Sequence, residues 1–194
     1  LLLDKKSAGV DRSEKIKLIL KTLDPKADSL LITNPDSICW LLNIRGHDVP
    51  FTPVLLSYLL LSKTGKVFLF CDPKKVSHIK GIEVTELDSM KIKFKEIIKK
   101  KQKIQLDPNK TPVWFLSIGG EQIIKASDPI SLPKSCKNEV EVKGIREAHL
   151  QDGIAVTKFI NWLTKNVSKN IDEIYASAKL LDFRKERNLF QYPS

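Results

Sequence analysis

The segment Asn43-Ile44-Arg45-Gly46-His47-Asp48-Val49-Pro50 carries the densest set of side chains able to do chemistry. It places a guanidinium, an imidazole and a carboxylate around a glycine that permits a tight backbone. A guanidinium so placed can grip a carboxylate or a peptide carbonyl through its planar fork of donors. A plainer arrangement uses the same residues: Arg45 pairs with Asp48 and fastens the loop. Local features favour that arrangement, because polar loop residues commonly serve their own loop. Elsewhere the signals are sparse. Of the three histidines, His47, His78 and His149, none pairs with another at a metal-ligand spacing. There is no HExxH, no glycine-rich phosphate cradle and no GxSxG elbow; Gly119-Gly120 stands isolated. No residue is therefore assigned a catalytic or metal-binding role. His149 falls on the apolar stripe of a helical pattern and is expected to be a buried, hydrogen-bonded core histidine rather than a site residue.

The elements around the loop follow from punctuation and periodicity. Asp11-Arg12-Ser13-Glu14 opens a helix that should stop at Asp24-Pro25. Residues 29–33 form a short apolar strand. Asn34-Pro35-Asp36 starts the next helix, with Asn34 as its cap and Pro35 in its first turn. The candidate loop follows, over residues 43–53. Residues 54–62 and 67–71 read as strands joined at Lys63-Thr64-Gly65-Lys66, a hairpin signal. Asp72-Pro73 begins a short helix, and residues 82–86 form a strand. Strands are further expected at 103–106 and 113–116, and a short helix at 119–126. Strands separated by helices give an α/β fold, and the hairpin makes the β-sheet mixed, flanked by helices. Residues 127–133 read as a punctuated linker. Two helices then follow, at about 137–165 and from Asp172-Glu173 to about Asn188. The first has Val142, Ile145, His149, Asp152, Val156, Phe159 and Leu163 along one face. The expected division is 1–133 for the α/β domain and 134–194 for the two helices. Two helices cannot close a core alone, so the second domain is expected to be truncated.

At 194 residues, with 42% hydrophobic and 29% charged residues, the chain has an ordinary globular composition, which argues against disorder. No run approaches the ~20 apolar residues of a membrane span. The opening Leu1-Leu2-Leu3 followed by Asp4-Lys5-Lys6 gives poor support to a signal peptide, and an internal fragment of a longer protein is expected. Three widely spaced cysteines, Cys39, Cys71 and Cys136, with no CxxC, exclude a disulfide scaffold or zinc ribbon. They suit a reducing cytosol, and each reads as a small buried hydrophobe. The net charge of +10 raises a polyanion partner. Its densest stretch, residues 90–105, holds seven lysines interleaved with Ile92, Phe94, Ile97, Ile98 and Ile104. That pattern is an amphipathic helix with a lysine-coated outer face, and nucleic-acid binding stays the lesser reading.

Read as a stretch, Asp36-Ser37-Ile38-Cys39-Trp40-Leu41-Leu42-Asn43-Ile44-Arg45-Gly46-His47-Asp48-Val49-Pro50, continuing Pro53-Val54-Leu55-Leu56-Ser57-Tyr58, resembles the middle domain of three-domain Xaa-Pro aminopeptidases. The core of the pattern is W-L-x-N-x-R-G-x-D followed by P-V-x-x-S-Y. A second stretch, Lys137-Asn138-Glu139-Val140-Glu141 with Gly144, Arg146, Ala148, His149 and Asp152-Gly153, resembles the entry helix of the family's catalytic domain. Asp172-Glu173 and Phe183-Arg184 match its next helix, where the family commonly has Thr-Glu.

The resemblance implies a creatinase/prolidase N-terminal-like α/β domain followed by the first two helices of a truncated pita-bread domain. It implies a cytoplasmic metalloexopeptidase that removes the N-terminal residue from peptides with proline in second position. Two divalent metals, usually manganese, would activate the water in the complete enzyme. The chain stops before the strands that would carry the metal ligands, so this fragment is expected to bind no cofactor and to hydrolyse nothing. Related domains shape the active-site mouth and make dimer contacts, which makes Arg45, His47 and Asp48 the candidate substrate-side or interface residues. The expected partners are the peptide substrate and a second copy of the chain, with no nucleic acid and no membrane. A family member that has lost catalysis and serves as a protein-binding module is the alternative.

Overall fold

The structure, a computed structural model, describes residues 1–167 and 171–186. It divides into two compact units, Leu1–Lys137 and a second that begins at Asn138. The first unit runs α1 (Lys5–Ala8), α2 (Arg12–Leu20), β1 (Ser29–Ile32), α3 (Pro35–Leu42), β2 (Tyr58–Ser62) and β3 (Val67–Phe70). It continues with β4 (Glu83–Thr85), α4 (Ser89–Lys99), β5 (Ile104–Leu106), α5 (Val113–Gly119), β6 (Ile123–Lys125) and α6 (Ser131–Ser135).

Strands β1, β2 and β3 are short apolar runs, as strands covered on both faces must be. They form one six-stranded sheet in the order β4-β3-β2-β1-β5-β6. β2 alone runs against its neighbours; the other pairings, β1–β5, β3–β4 and β5–β6, are parallel. Alternation sorts the side chains. Leu30, Ile32, Leu59, Leu61, Val67 and Leu69 join Ile19 of α2 and Ile38, Leu41 and Leu42 of α3 in one core layer. Leu31, Leu60 and Phe70 join Met90, Phe94 and Ile97 of α4 and Phe115 of α5 in the other. Met90, Phe94 and Ile97 lie three to four residues apart, the spacing that keeps one stripe of a helix facing the sheet. The lysines take the outer face, and Lys91 and Lys95 each sit 6.0 Å from the Trp114 ring centre.

Several expectations fail, each for a physical reason. Residues 113–116 are helical, not a strand, and 119–126 keeps only a single 3-10 turn, Gly120–Gln122, before β6. The run Val113-Trp114-Phe115-Leu116 has strand-forming residue types. However, the Phe115 N–H donates to Pro112 O at 3.0 Å, opening a turn that seats Phe115 against Phe94 at 5.0 Å between ring centres. Tertiary packing outweighs the weak local preference. β6 instead pairs Ile123 with Ile104 at the sheet edge. The expected linker holds α6, with Ile130 wholly buried. α2 ends at Leu20, short of Pro25, and β2 begins only at Tyr58. Cys39 and Cys71 are buried, but Cys136 is exposed.

In the second unit α7 (Glu139–Asn166) opens on a reciprocal cap. Asn138 Oδ1 accepts from the Glu141 N–H, and Glu141 Oε2 accepts from the Asn138 N–H. α8 (Glu173–Lys185) is capped by Asp172, which accepts from the Tyr175 N–H at 2.7 Å. The expected extension to Asn188 lies outside the described residues. The two helices are tied by Arg184 Nε to Asp152 Oδ1 at 2.7 Å and by the Trp162 and Tyr175 rings, 5.8 Å apart. Of the expected apolar face, Val142, Val156, Phe159 and Leu163 are half-buried while Ile145 is exposed. His149 is exposed rather than a core histidine. Ala155 is the buried residue of α7 instead.

Candidate functional site

Arg45, His47 and Asp48 all line one pocket of about 270 Å³ in the first unit. Its other wall comes from residues 75–79, where Lys75 and His78 join Val76 and Ile79. Ile44 and Leu55 complete its apolar side.

Each polar group is placed by the end of α3. Asn43 terminates that helix in the left-handed conformation, φ 55°, which Asn tolerates better than most residues. Its side chain is then spent on anchoring. Nδ2 donates to Val10 O at 2.8 Å, and Oδ1 accepts from Lys15 Nζ at 2.7 Å. Lys15 is only 3% exposed; its ammonium also donates to Trp40 O at 3.1 Å and lies 4.1 Å from the Trp40 ring centre. Trp40 and Asn43 of the recognised pattern thus serve to lock α2 onto the helix end from which the loop departs.

Gly46 is required by close approach. A Cβ there would lie 2.6 Å from Val54 O and 2.8 Å from Leu55 N and Cα. The loop therefore lies directly on the residues leading into β2. Asp48 completes the clamp: it accepts from the Leu56 N–H at 2.8 Å and from Lys75 Nζ at 2.6 Å. Burial alone would raise the Asp48 carboxyl, but these two hydrogen bonds outweigh it and hold the group below its ordinary value. The bond to Asp48 in turn raises Lys75.

Asp48 is therefore taken by Lys75 and Leu56, and the expected Arg45–Asp48 pair does not form. Arg45 Nη1 instead donates to Ile44 O at 2.8 Å and Cys39 O at 3.5 Å. Among the described residues no carboxylate is paired with it. Arg45 is half-buried, its guanidinium held by neutral carbonyls, and the residue lines the pocket. His47 and His78 are exposed. The cysteines beside the site are poor nucleophiles: burial raises Cys39, and pushes Cys71 up to about 11. Among the described residues no three His, Cys, Asp or Glu side chains converge to hold a metal. Lys75, Val76, His78 and Ile79 escaped the sequence reading, since nothing local to residues 72–79 marks them as facing a loop thirty positions upstream.

The family profile described as Creatinase/Prolidase N-terminal domain matches residues 1–141. The chain belongs to that family. The Xaa-Pro aminopeptidase 1 of Dictyostelium discoideum is 30% identical to this creatinase/prolidase-type chain over 200 residues, covering 97% of the chain and 32% of the relative. A probable Xaa-Pro aminopeptidase P of Arthroderma benhamiae is 33% identical over 203 residues, covering 94% of the chain and 29% of the relative. The chain thus spans about a third of the length of the curated relatives it matches. A solved X-prolyl aminopeptidase from Caenorhabditis elegans, described as a cytosolic enzyme with a di-nuclear active site, superposes with a TM-score of 0.85 at 27% identity. That superposition covers 99% of the chain and 34% of the solved one. The mixed sheet with its two helical layers is the creatinase/prolidase N-terminal fold. Among the described residues no helix is long and apolar enough to cross a membrane.

Proposed function

We propose that this chain is the non-catalytic α/β domain, with the opening helices of the catalytic domain, of an Xaa-Pro aminopeptidase. On this reading residues 1–133 form the first part and 134–194 the second, and the whole protein removes the N-terminal residue from peptides with proline in second position. The observation that carries it is similarity along nearly the whole chain to proteins named as such aminopeptidases, together with the 0.85 TM-score against a solved one.

In the complete enzyme two divalent metals, manganese in this proposal, would supply the activated water and polarise the scissile carbonyl. The residues described here do not fit such a centre, so no step is assigned to a metal they hold. Their part is binding and positioning. Asp48 is a positioning residue: it fixes the loop through Leu56 and Lys75. Arg45 and His47 face the pocket and are the substrate-side groups. A prolyl imide has no N–H to donate, so recognition leans on shape and on charged ends of the peptide. A cytoplasmic location and a homodimer complete the proposal. The dimer is favoured by exposed apolar side chains of α7, including Ile145, Leu150 and Ile160.

The complete protein, loaded with Mn²⁺, should release the first residue of an Xaa-Pro peptide. The 194-residue chain should release none above a protein-free blank. In the complete protein Arg45→Ala should lower kcat/KM at least tenfold with Tm nearly unchanged. Absence of turnover by the complete protein would refute the aminopeptidase reading, and intact kinetics in Arg45→Ala would remove Arg45 from the substrate side.

A further inference from the structure

We infer that the Arg45 pocket is a carboxylate-binding subsite. It takes one residue that brings a carboxylate together with aliphatic carbon, as a C-terminal apolar residue or the methylene stem of an acidic side chain does.

The charge on the pocket walls comes first. Lys75 and Asp48 are paired at 2.6 Å and cancel. Two cationic groups are left over on the walls: the Arg45 guanidinium and the Leu1 ammonium, which lines the same pocket and donates to Arg45 O at 2.8 Å. The pocket therefore attracts an anion. The guanidinium geometry points the same way. Nη1 is turned onto Ile44 O and Cys39 O, which fixes the plane of the group without neutralising it. A fixed, charged planar fork is the donor that a carboxylate matches with two parallel bonds. Holding an arginine by carbonyls while withholding a carboxylate is costly for a merely structural cation, because a half-buried charge is best stabilised by a counter-charge.

The lining sets the rest of the ligand. Ile44, Leu55, Val76 and Ile79 line the cavity, and all four are buried. An aliphatic group matches this lining, whereas a small inorganic anion makes no use of it. The volume of about 270 Å³ lies just below the ~300–1,000 Å³ range of small-molecule pockets, so it admits a single residue rather than a run of peptide. His78, which lines the same pocket, can add a donor to the same carboxylate.

The choice of a peptide as the source of the carboxylate rests on the aminopeptidase reading. The binding chemistry does not. A peptide offers that group in two ways, as its C-terminus or as an acidic side chain, and both are tested. The ¹⁵N-labelled chain is titrated with three tripeptides: Ala-Pro-Leu, Ala-Pro-Leu amide and Ala-Pro-Glu amide. The amides of Gly46, His47 and Ile79 are followed.

At least one carboxylate-bearing peptide should bind tenfold or more tightly than the neutral amide. Ala-Pro-Leu doing so identifies the C-terminus as the source, and Ala-Pro-Glu amide the side chain. The preference should disappear in Arg45→Gln. Equal shifts with all three peptides, no shifts at these amides, or a preference that survives Arg45→Gln would each overturn the inference. The comparison of acid with amide needs no variant, so it stands even if Arg45→Gln fails to fold. A negative titration leaves the aminopeptidase reading to its own turnover test, and a positive one survives failure of that test.

Discussion

Replacing Gly46 by alanine gives the most direct check of how the pocket is built. The added Cβ would sit 2.6 Å from Val54 O and 2.8 Å from Leu55 N and Cα. Ordinary contacts between such atoms are about 3.5–4.0 Å, so a backbone segment must move by roughly 1 Å. No flexible side chain can yield in its place. The segment that must move is tied on several sides. Leu55 N–H donates to Cys39 Sγ at 3.3 Å, Leu56 N–H to Asp48 at 2.8 Å, and Asp48 N–H to Val54 O at 3.3 Å. Overpacking of this kind costs about 1–3 kcal/mol, and the surrounding bonds place Gly46→Ala at the upper end, about 2–3 kcal/mol. At ~2–4 °C per kcal/mol for a chain of this size, Tm should fall by about 4–12 °C. Calorimetry checks the fall, and the amide resonances of residues 45–48 should shift with it. A Tm within about 1 °C of the parent would mean a loss well below 1 kcal/mol, and the close approach would be no constraint.

Gly144 predicts the opposite sign. It lies in α7 with open space where a Cβ would go, so Gly144→Ala should stabilise the helix by about 0.4–1 kcal/mol, read as slower amide exchange along α7. Lys15→Met keeps the length of the side chain but leaves Asn43 Oδ1 and Trp40 O without their donor, costing about 1–3 kcal/mol in a urea titration. An unchanged midpoint would mean that relief of the buried ammonium offsets those bonds. For Asp48 the folded value lies below the unfolded one of about 3.9, so its stabilisation is full above that value and fades as pH falls through the folded one. The stability gap between the parent and Asp48→Asn should therefore be constant above about pH 5 and narrow below about pH 4. A gap independent of pH would show that the carboxylate charge plays no part.

Much of the fold was legible because its boundaries are chemical. Asn34-Pro35, Lys63-Thr64-Gly65-Lys66, Asp72-Pro73 and Asn138 with Glu141 each announce an end or a beginning that the structure keeps. The region after β5 was not, because Val113-Trp114-Phe115-Leu116 is strand-like in type and helical only through what Phe115 packs against. Burial was misread at His149, which lies outside, since a helix stripe names a face but not the surface that will cover it. In the site, Arg45, His47 and Asp48 were visible as a polar cluster beside a glycine. Their partners were not. Proximity in sequence suggested an Arg45–Asp48 pair, but Asp48 is claimed by Lys75, which only the hairpin and the turn after β3 bring within reach.

The placement of β1 has a consequence for synthesis. One edge of β1 pairs with β2, register Ser29 to Ser62, and the other with β5, register Ser29 to Ile104. A ribosome adding ~5–20 residues per second delivers β5 roughly 2–8 s after β2, whereas hairpins close in ~1–10 μs. For those seconds the nascent chain can hold β1 to β4 as a half-sheet whose β1 edge is open. That edge reads Ser29-Leu30-Leu31-Ile32, without a charge or proline to guard it. Unpaired apolar edges recruit other strands, so nascent chains of this domain should depend on holding chaperones until Ile104 emerges. Ribosome-stalled chains ending near residue 100 should aggregate on release, while those ending past β6 should not.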